Sequence, residues 1–301
     1  MVRKNRKSVT FCCSLFILFI SCQTTPKIPD PVLEQSGFVP LEKGALVYLL
    51  ADVQAARPVL ELLPIPELRD KQTILLLDST RTAAAAIYPR ESGRRFQLAA
   101  WGKYPAFRAG MAFGMSNKWK KTRTNEGVYW YSQADGLSVA LDSRQAFAVS
   151  WIDTPVSPIT AAPEVETPEG FGEFRRGAPL SCWIEEPGAA VNRFMESSGI
   201  PLQAPIEKIF VSLFPAPGNQ YEAVIRMQFA GASQARSVAA LFNLARLFMG
   251  VPAKSEADVN SLIAALFFAN PPAQNGRDLD IKTCVLNEKE LSLLFNRFLL
   301  Y

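Results

Sequence analysis

The chain has 301 residues, of which 49% are hydrophobic and 20 are phenylalanine, so it can bury one large core or two smaller ones. It contains no histidine, which excludes Ser-His-Asp and Cys-His catalysis and zinc sites that use histidine. Lysine and arginine number 32 against 28 acidic residues, but four cations lie near the amino terminus, and the remaining chain is formally neutral. A neutral body has no long-range attraction for nucleic acid, so we expect no nucleic-acid partner.

The first 22 residues predict where the chain resides. A basic start from Arg3 to Lys7 precedes an apolar run from Val9 to Ile20, which is shorter than the roughly 20 residues needed to cross a bilayer. Residues 1–21 are therefore typical of a signal peptide. Residues 19–22, Phe-Ile-Ser-Cys, resemble the lipobox of bacterial lipoproteins in its looser spirochaete form, because Phe19 stands where an aliphatic residue is usual.

The lipobox resemblance implies cleavage before Cys22 and attachment of a diacylglycerol, with acyl chains such as palmitate, to the Cys22 thiol. It places the chain in a bacterial cell envelope, membrane-bound through its lipid, on the periplasmic face rather than the cell surface. An uncleaved hydrophobic anchor and an ordinary secretory peptide are the alternatives.

Proline-rich stretches divide the rest of the chain. Residues 22–43 continue after Cys22 with Gln, Thr and Pro and predict an extended tether. Residues 153–178 alternate proline and glutamate and predict a linker. This gives two modules, over 44–152 and 179–301.

The two modules look like repeats of one another. In each, an apolar strand leads to an acidic residue at a helix start, Asp52 and Glu186, at an offset of about 134 residues. A strand, a glycine turn, a second strand and a helix follow in both, the helices near 104–115 and 233–249. Coincidence between two amphipathic segments is the alternative to duplication.

The fold class predicted is α+β, with antiparallel sheets and helices on one face. Strands are expected at 127–132, 136–142 and 145–151 in the first module, with Asp135-Gly136 as a hairpin turn. In the second module, Ser255 with Asp258 and Asn287 with Glu290 predict helix N-caps, the latter opening a helix over 288–300. The order strand, helix, two strands, helix, strand resembles the ferredoxin-like fold with one helix inserted.

Two cysteines remain after processing, Cys182 and Cys284, which are too few for a cysteine zinc cluster. A ferredoxin-like order would place their strands side by side, and a disulfide between them is then a candidate. Free thiols in the core are the alternative.

One short segment combines cations with aromatic residues and is the candidate ligand surface: Lys118, Trp119, Lys120, Lys121 and Arg123. Cations beside exposed rings could bind phosphate groups or stack on a base or sugar. The alternative is a solvated loop between a helix and a strand, whose lysines discourage edge pairing and whose tryptophan covers the core.

No catalytic, cofactor or metal site is predicted. The closest carboxylate pairs are Glu185-Glu186, Asp278 with Asp280, and Glu288 with Glu290, and each has an explanation at a helix start or strand edge. Glycine-rich phosphate motifs and the G-x-S-x-G elbow do not occur in the sequence. A histidine-free carboxylate hydrolase is the least favoured of the functions considered.

Several phenylalanines of the second module could line an apolar ligand cavity or could form plain core: Phe242, Phe248, Phe267, Phe268, Phe295 and Phe298. The body resembles the duplicated α+β lipoproteins of unassigned role found in spirochaetes. We therefore expect a non-enzymatic binding or scaffolding protein of the envelope, with an envelope protein or an apolar ligand as partner, and an apolar-ligand or lipid-binding protein as the alternative.

Overall fold

The structure is a computed structural model that describes residues 38–39, 41–63, 71–89, 94–125, 127–134, 136–151, 165–188, 205–249 and 259–299. Cys22, Asp135, Ser255 and Asp258 lie outside these residues, as do the side chains of Phe295 and Phe298. The predictions made for them are therefore not addressed by the structure.

Fourteen strands and seven helices occur in the described residues. The strands are β1 (Phe38–Val39), β2 (Val47–Asp52), β3 (Thr80–Ile87), β4 (Arg94–Gly102), β5 (Trp119–Thr124), β6 (Gly127–Ser132), β7 (Leu137–Leu141), β8 (Gln145–Trp151), β9 (Val165–Glu166), β10 (Leu180–Glu185), β11 (Ile206–Ala216), β12 (Gln220–Phe229), β13 (Ala273–Asn275) and β14 (Asp278–Lys282). The helices are α1 (Val53–Leu60), α2 (Lys71–Ser79), α3 (Ala106–Met115), α4 (Phe171–Phe174), α5 (Ala232–Met249), α6 (Val259–Phe268) and α7 (Glu288–Leu299).

Twelve of the strands form one antiparallel sheet in the order β13-β14-β12-β11-β10-β2-β3-β4-β8-β7-β6-β5. The predicted α+β class with an antiparallel sheet is confirmed. Strands from both predicted modules belong to this sheet, because β2 and β10 pair along five residues at its centre. From that centre β2, β3 and β4 follow one another outward on one side, and β10, β11 and β12 do so on the other.

The same strand order in the two halves agrees with the predicted duplication, and the faces of the sheet refine the offset, predicted as about 134 residues, to an odd number. Tyr48 and Trp183 are directly opposite in the ladder and stack with ring centroids 4.8 Å apart, so both lie on one face of the sheet. The offset of 134 would match Tyr48 with Cys182, whose side chain lies on the other face. Asp52 caps α1 through Ala55 N, at 3.1 Å, whereas the helix expected after Glu186 falls on residues outside the described ranges.

The ferredoxin-like strand order is wrong. In the second half β10, β11, β12 and β14 are neighbours in sequence order, so two strands separate β10 from β14. A tight turn joins β11 to β12, and β2 occupies the other edge of β10, which leaves β12 as the strand that β14 can pair with. Cys182 and Cys284 are consequently apart and both are free thiols, so the candidate disulfide is absent.

Directly paired residues share a face of the sheet, and this defines its two sides. We call the side that carries Leu180, Leu213 and Ile281 the helical face, because α1, α5, α6 and α7 pack their apolar residues there. Helix α3 packs on the same face further along, against Trp130. The opposite face carries Tyr48, Trp183 and Phe210 and is covered by α4.

The ends of the predicted tether and linker belong to the folded body. Strand β1 pairs with β9, and Leu41 from the tether and Phe171 from the linker are fully buried against the opposite face. The end of the tether is held against the sheet at Glu42, whose backbone carbonyl accepts hydrogen bonds from the hydroxyl groups of Tyr48 and Tyr88. The apolar residues among the prolines and glutamates supply this packing, which composition alone did not indicate.

Candidate functional site

The basic aromatic segment forms the outermost strand of the sheet and not the expected loop. Among the described residues, strand β5 pairs with β6 alone, in register from Trp119 opposite Ser132 to Thr124 opposite Gly127. Trp119 is half-buried and meets Phe113 edge to face at 4.8 Å, which agrees with a tryptophan that covers the core. Lys118, Lys120, Lys121 and Arg123 are exposed, so the structure brings four cations to one edge.

Helix α3 beside this edge has an apolar outer side. Its inner side packs through Phe113 and Gly110 on the Trp130 ring, and a Cβ at Gly110 would already lie 3.4 Å from that ring. The outer side carries Phe107, Met111 and Met115, spaced four residues apart, with Phe107 and Met115 each 80% exposed. We call these three residues the α3 stripe.

Helix α5 repeats this arrangement in the second half of the sheet. Its inner side packs through Val238 and Phe242 into the core. Its outer side carries a set of exposed apolar residues, which we call the α5 stripe: Leu241, Leu244, Leu247 and Phe248. Leu247 is 82% exposed and Phe248 is 83% exposed, values unusual for large apolar side chains.

The two stripes occupy equivalent positions in the two halves of the sheet. Each lies on the helix that follows the third strand counted outward from the centre, β4 for α3 and β12 for α5. Both helices also cover the helical face. The sequence analysis missed the α3 stripe, although the run Ala106–Met115 has only one charged residue, Arg108. A helix with so few polar residues keeps an outward apolar side when only one of its sides meets a sheet.

The paired carboxylates serve as structural ion-pair and cap groups. Asp280 accepts two hydrogen bonds from the Arg226 guanidinium, at 2.7 and 2.8 Å, and Asp278 lies 3.8 Å from the same group. The bonds to Asp280 raise the pKa of Arg226, whose guanidinium also lies 5.0 Å over the ring of Phe174. Two carboxylates that share one fixed cation do not form an acid and base pair.

One member of each of the other two pairs, Glu185 and Glu290, has a structural partner. Glu185 accepts bonds from Lys208 Nζ at 3.0 Å and from the indole of Trp183 at 3.1 Å. Glu290 accepts from Asn287 N at 2.8 Å while Asn287 accepts from Glu290 N at 2.9 Å, which confirms the predicted capping box. No group of three metal-ligating side chains occurs in the described part of the chain.

The apolar cavity considered for the second half is not found among its phenylalanines in the described residues. Phe242 packs against Phe267 and Phe268, with ring centroids 6.4 and 5.8 Å apart, and these rings fill the core, whereas Phe248 points outward. A cleft of about 640 Å³ lies elsewhere, between Asp52 at the start of α1 and residues 167–179. A second, of about 420 Å³, lies beside Arg226.

The two cysteines sit within the sheet and beside the core. Cys182 is at the centre of the sheet, opposite Leu49 on one side and Val211 on the other, and desolvation there raises its pKa to about 12. Cys284 packs against the cluster of α6 and α7. A thiol with so high a pKa is nearly all protonated at neutral pH and is a poor nucleophile.

None of the helices in the described ranges has the length and apolarity required to span a membrane. In sequence, the chain matches no protein family model and no curated protein.

Solved structures do resemble the chain. Crystal form I of TP0453, from the spirochaete Treponema, superposes with a TM-score of 0.58 at 18% identity, over 86% of this chain and 97% of that one. Crystal form III of TP0453 gives a TM-score of 0.58 at 16% identity, over 91% of this chain and 100% of that one. At these identities the likeness establishes a shared fold, and the chain has the fold of TP0453 over nearly its whole length.

Proposed function

We propose that this chain is a lipid-anchored protein of a bacterial cell envelope that binds without catalysing, and that the α3 and α5 stripes are its contact with membrane lipid. The stripes are the observation that carries the proposal. They place large apolar side chains in water at two equal positions of the fold, both on helices of the helical face. Exposed apolar residues that are grouped in this way mark a contact surface more often than scattered ones do.

Membrane lipid is the partner of the stripes that the proposed anchor at Cys22 favours. With Cys22 in the membrane, the chain between Cys22 and Phe38 reaches at most about 55 Å, so the body remains near the bilayer surface. Burying one Phe, Leu or Met side chain contributes about 1.5–3 kcal/mol, and a tethered body needs only a few of them to settle on that surface. The two acyl chains of the anchor supply the firm attachment.

A binding role also suits the polar groups of the body. Of the carboxylate pairs that a histidine-free hydrolase would need, Asp278 and Asp280 lie against Arg226, Glu185 accepts a bond from Lys208, and Glu290 belongs to the cap of α7. These contacts support a non-catalytic role, and the periplasmic side of the membrane remains part of the proposal as an expectation from the sequence.

Lipid contact by the stripes is tested with an environment-sensitive fluorophore on single cysteines in the lipidated chain, in a Cys284→Ser background. Met111→Cys and Leu247→Cys place the label in the stripes, and Leu46→Cys places it at a 46% exposed apolar residue outside them. In vesicles, quenchers attached to the acyl chains should quench the first two labels and spare the third. Equal quenching at all three positions, or none at the stripes, contradicts lipid contact.

The anchor has its own test. Intact-mass measurement of membrane-extracted protein should show a chain that begins at Cys22 and carries the lipid, and Cys22→Ser should abolish the modification. A mature chain that begins elsewhere without lipid contradicts the anchor and leaves the stripe experiment to be judged separately.

A further inference from the structure

The two ends of the twelve-stranded sheet differ in length. One end is β13, which has only three residues, and short edge strands are a usual protection against unwanted pairing. The other end is β5, with six residues and no proline, and no strand of the described residues pairs with its outer edge. An unpaired edge strand such as β5 is where an extended chain of a partner can add to a sheet.

The register of the β5–β6 hairpin shows which backbone groups face outward. Thr124 pairs with Gly127 across a two-residue turn, and such a closing pair exchanges both backbone hydrogen bonds. Alternate residues then bond to β6, namely Lys120, Thr122 and Thr124. The N–H and C=O groups of Lys121 and Arg123 therefore point away from the sheet, toward an incoming strand. The carbonyl of Trp119 does so too, whereas its N–H donates to the carbonyl of Ser116 at 3.3 Å.

The positive charge on the outer edge of β5 favours an incoming strand that is acidic. Lys121 and Arg123 are exposed on the helical face and Lys120 on the opposite face, and residues 118–124 contain no acid. Within the described part of the chain these three cations have no side-chain ion pair. Opposite charges across a strand pair stabilise it and like charges destabilise it, so the edge of a second copy would be repelled and an acidic strand attracted.

We propose that the outer edge of β5 binds an acidic, extended segment of a partner protein as an added antiparallel strand. The outward N–H and C=O groups of Lys121 and Arg123, with the carbonyl of Trp119, supply the backbone bonds. Lys121 and Arg123 pair with acidic side chains on the helical face of the added strand. This site is independent of the stripes, which lie on helices.

The experiment measures binding of a capped synthetic peptide that alternates glutamate and valine to the purified full-length chain. Lys121→Thr removes one cation and keeps the outward N–H, whereas Lys121→Pro removes both. Proline is tolerated on an edge strand where its N–H would face solvent, so the β5–β6 hairpin should persist. Lys103→Thr, at an exposed cation outside β5, is the control for loss of charge.

We expect Lys121→Thr to weaken binding and to reduce its dependence on salt, and Lys121→Pro to weaken it at least about threefold more, which is the effect of one lost backbone bond. The Lys103→Thr variant should bind as the unchanged chain does. If Lys121→Pro unfolds the hairpin, the peptide's own N–H donors are removed instead, by N-methylation at alternate residues, which breaks its bonds to the outward carbonyls of β5.

Three results would overturn the proposal. The first is that the acidic peptide does not bind. The second is that Lys121→Pro matches Lys121→Thr and that N-methylated peptide binds as well as the unmodified one, which would make the edge a purely electrostatic surface. The third is that Lys121→Thr releases the chain from vesicles of anionic lipid while peptide binding is unaffected, which would assign these cations to lipid headgroups.

Discussion

At the residue scale, two phenylalanines with opposite burial distinguish core from contact surface. Phe171 is fully buried between the rings of Trp183 and Phe210, at centroid distances of 4.9 and 5.2 Å, whereas Phe107 is 80% exposed. Phe171→Ala should lower the free energy of unfolding by about 3–5 kcal/mol, and Phe107→Ala should change it by less than about 0.5 kcal/mol. Denaturant titration measures both. A small effect at Phe171 would mean that residues 165–178 are a linker after all.

Cys182 gives a second prediction at this scale, on the alkaline side. Its pKa is about 12 in the folded chain and about 8.5 in an unfolded one, so the unfolded chain loses this proton first as the pH rises. The protonated Cys182 thiol contributes its full share of the free energy of unfolding below about pH 8.5, and this contribution declines from there toward pH 12. Cys182→Ala and Cys182→Val should therefore lose less stability than the unchanged chain between pH 8.5 and 11. Parallel pH profiles for all three proteins would contradict the burial of the thiol.

At the element scale, the start of α7 tests a reciprocal cap. Asn287 and Glu290 each accept a hydrogen bond from the backbone of the other, which satisfies two donors at the helix start. Asn287→Ala should lower the free energy of unfolding by about 1 kcal/mol, and Asn287→Asp should restore most of it because aspartate also caps. Thermal unfolding of the two variants compares them directly. Equal midpoints for alanine and aspartate would show that the cap contributes nothing.

The elements themselves could be predicted largely from local patterns. Strands β6 and β8 lie where alternation placed them, α5 begins one residue before the predicted start, and α7 ends one residue before the predicted end. These signals are local, because a period of two or 3.6 and a cap need only neighbouring residues. The basic segment shows the limit of such patterns: Lys118 to Arg123 reads as a loop because four charges mask the alternation that β5 has at the sheet edge.

At the scale of the whole molecule, the order of elements along the chain predicted the wrong strand order, because strand pairing depends on residues far apart in sequence. A repeated strand and helix order in the second half is compatible with a ferredoxin-like sheet. The pairings of β10 decide against it, because β2 and β11 occupy the two edges that β14 and β12 would need. Composition likewise could not show that Leu41 and Phe171 close the opposite face. The cations of the β5 edge could be predicted, because they are visible in the sequence. The α3 and α5 stripes could not, because which side of each helix is exposed depends on which side the sheet covers.

The central pairing also predicts how the molecule unfolds. Tyr48 and Trp183 stack across the junction of the two halves, and residues of both halves share the core around Phe171. Leu279→Ala, at a fully buried site far out in the second half, should therefore reduce the stability of strands in the first half as well. Amide hydrogen exchange measures this at β3 and β12 in one experiment.

A single cooperative unit requires the slowest-exchanging amides of β3 and β12 to lose the same free energy of protection in Leu279→Ala. The control is Leu46→Ala, since Leu46 is exposed and should leave both strands unchanged. If Leu279→Ala lowers protection in β12 alone, the halves unfold separately and the β2–β10 pairing joins two independent modules. Equal loss in both strands shows that the shared sheet, continuous through Tyr48 and Trp183, makes the two predicted modules one folding unit.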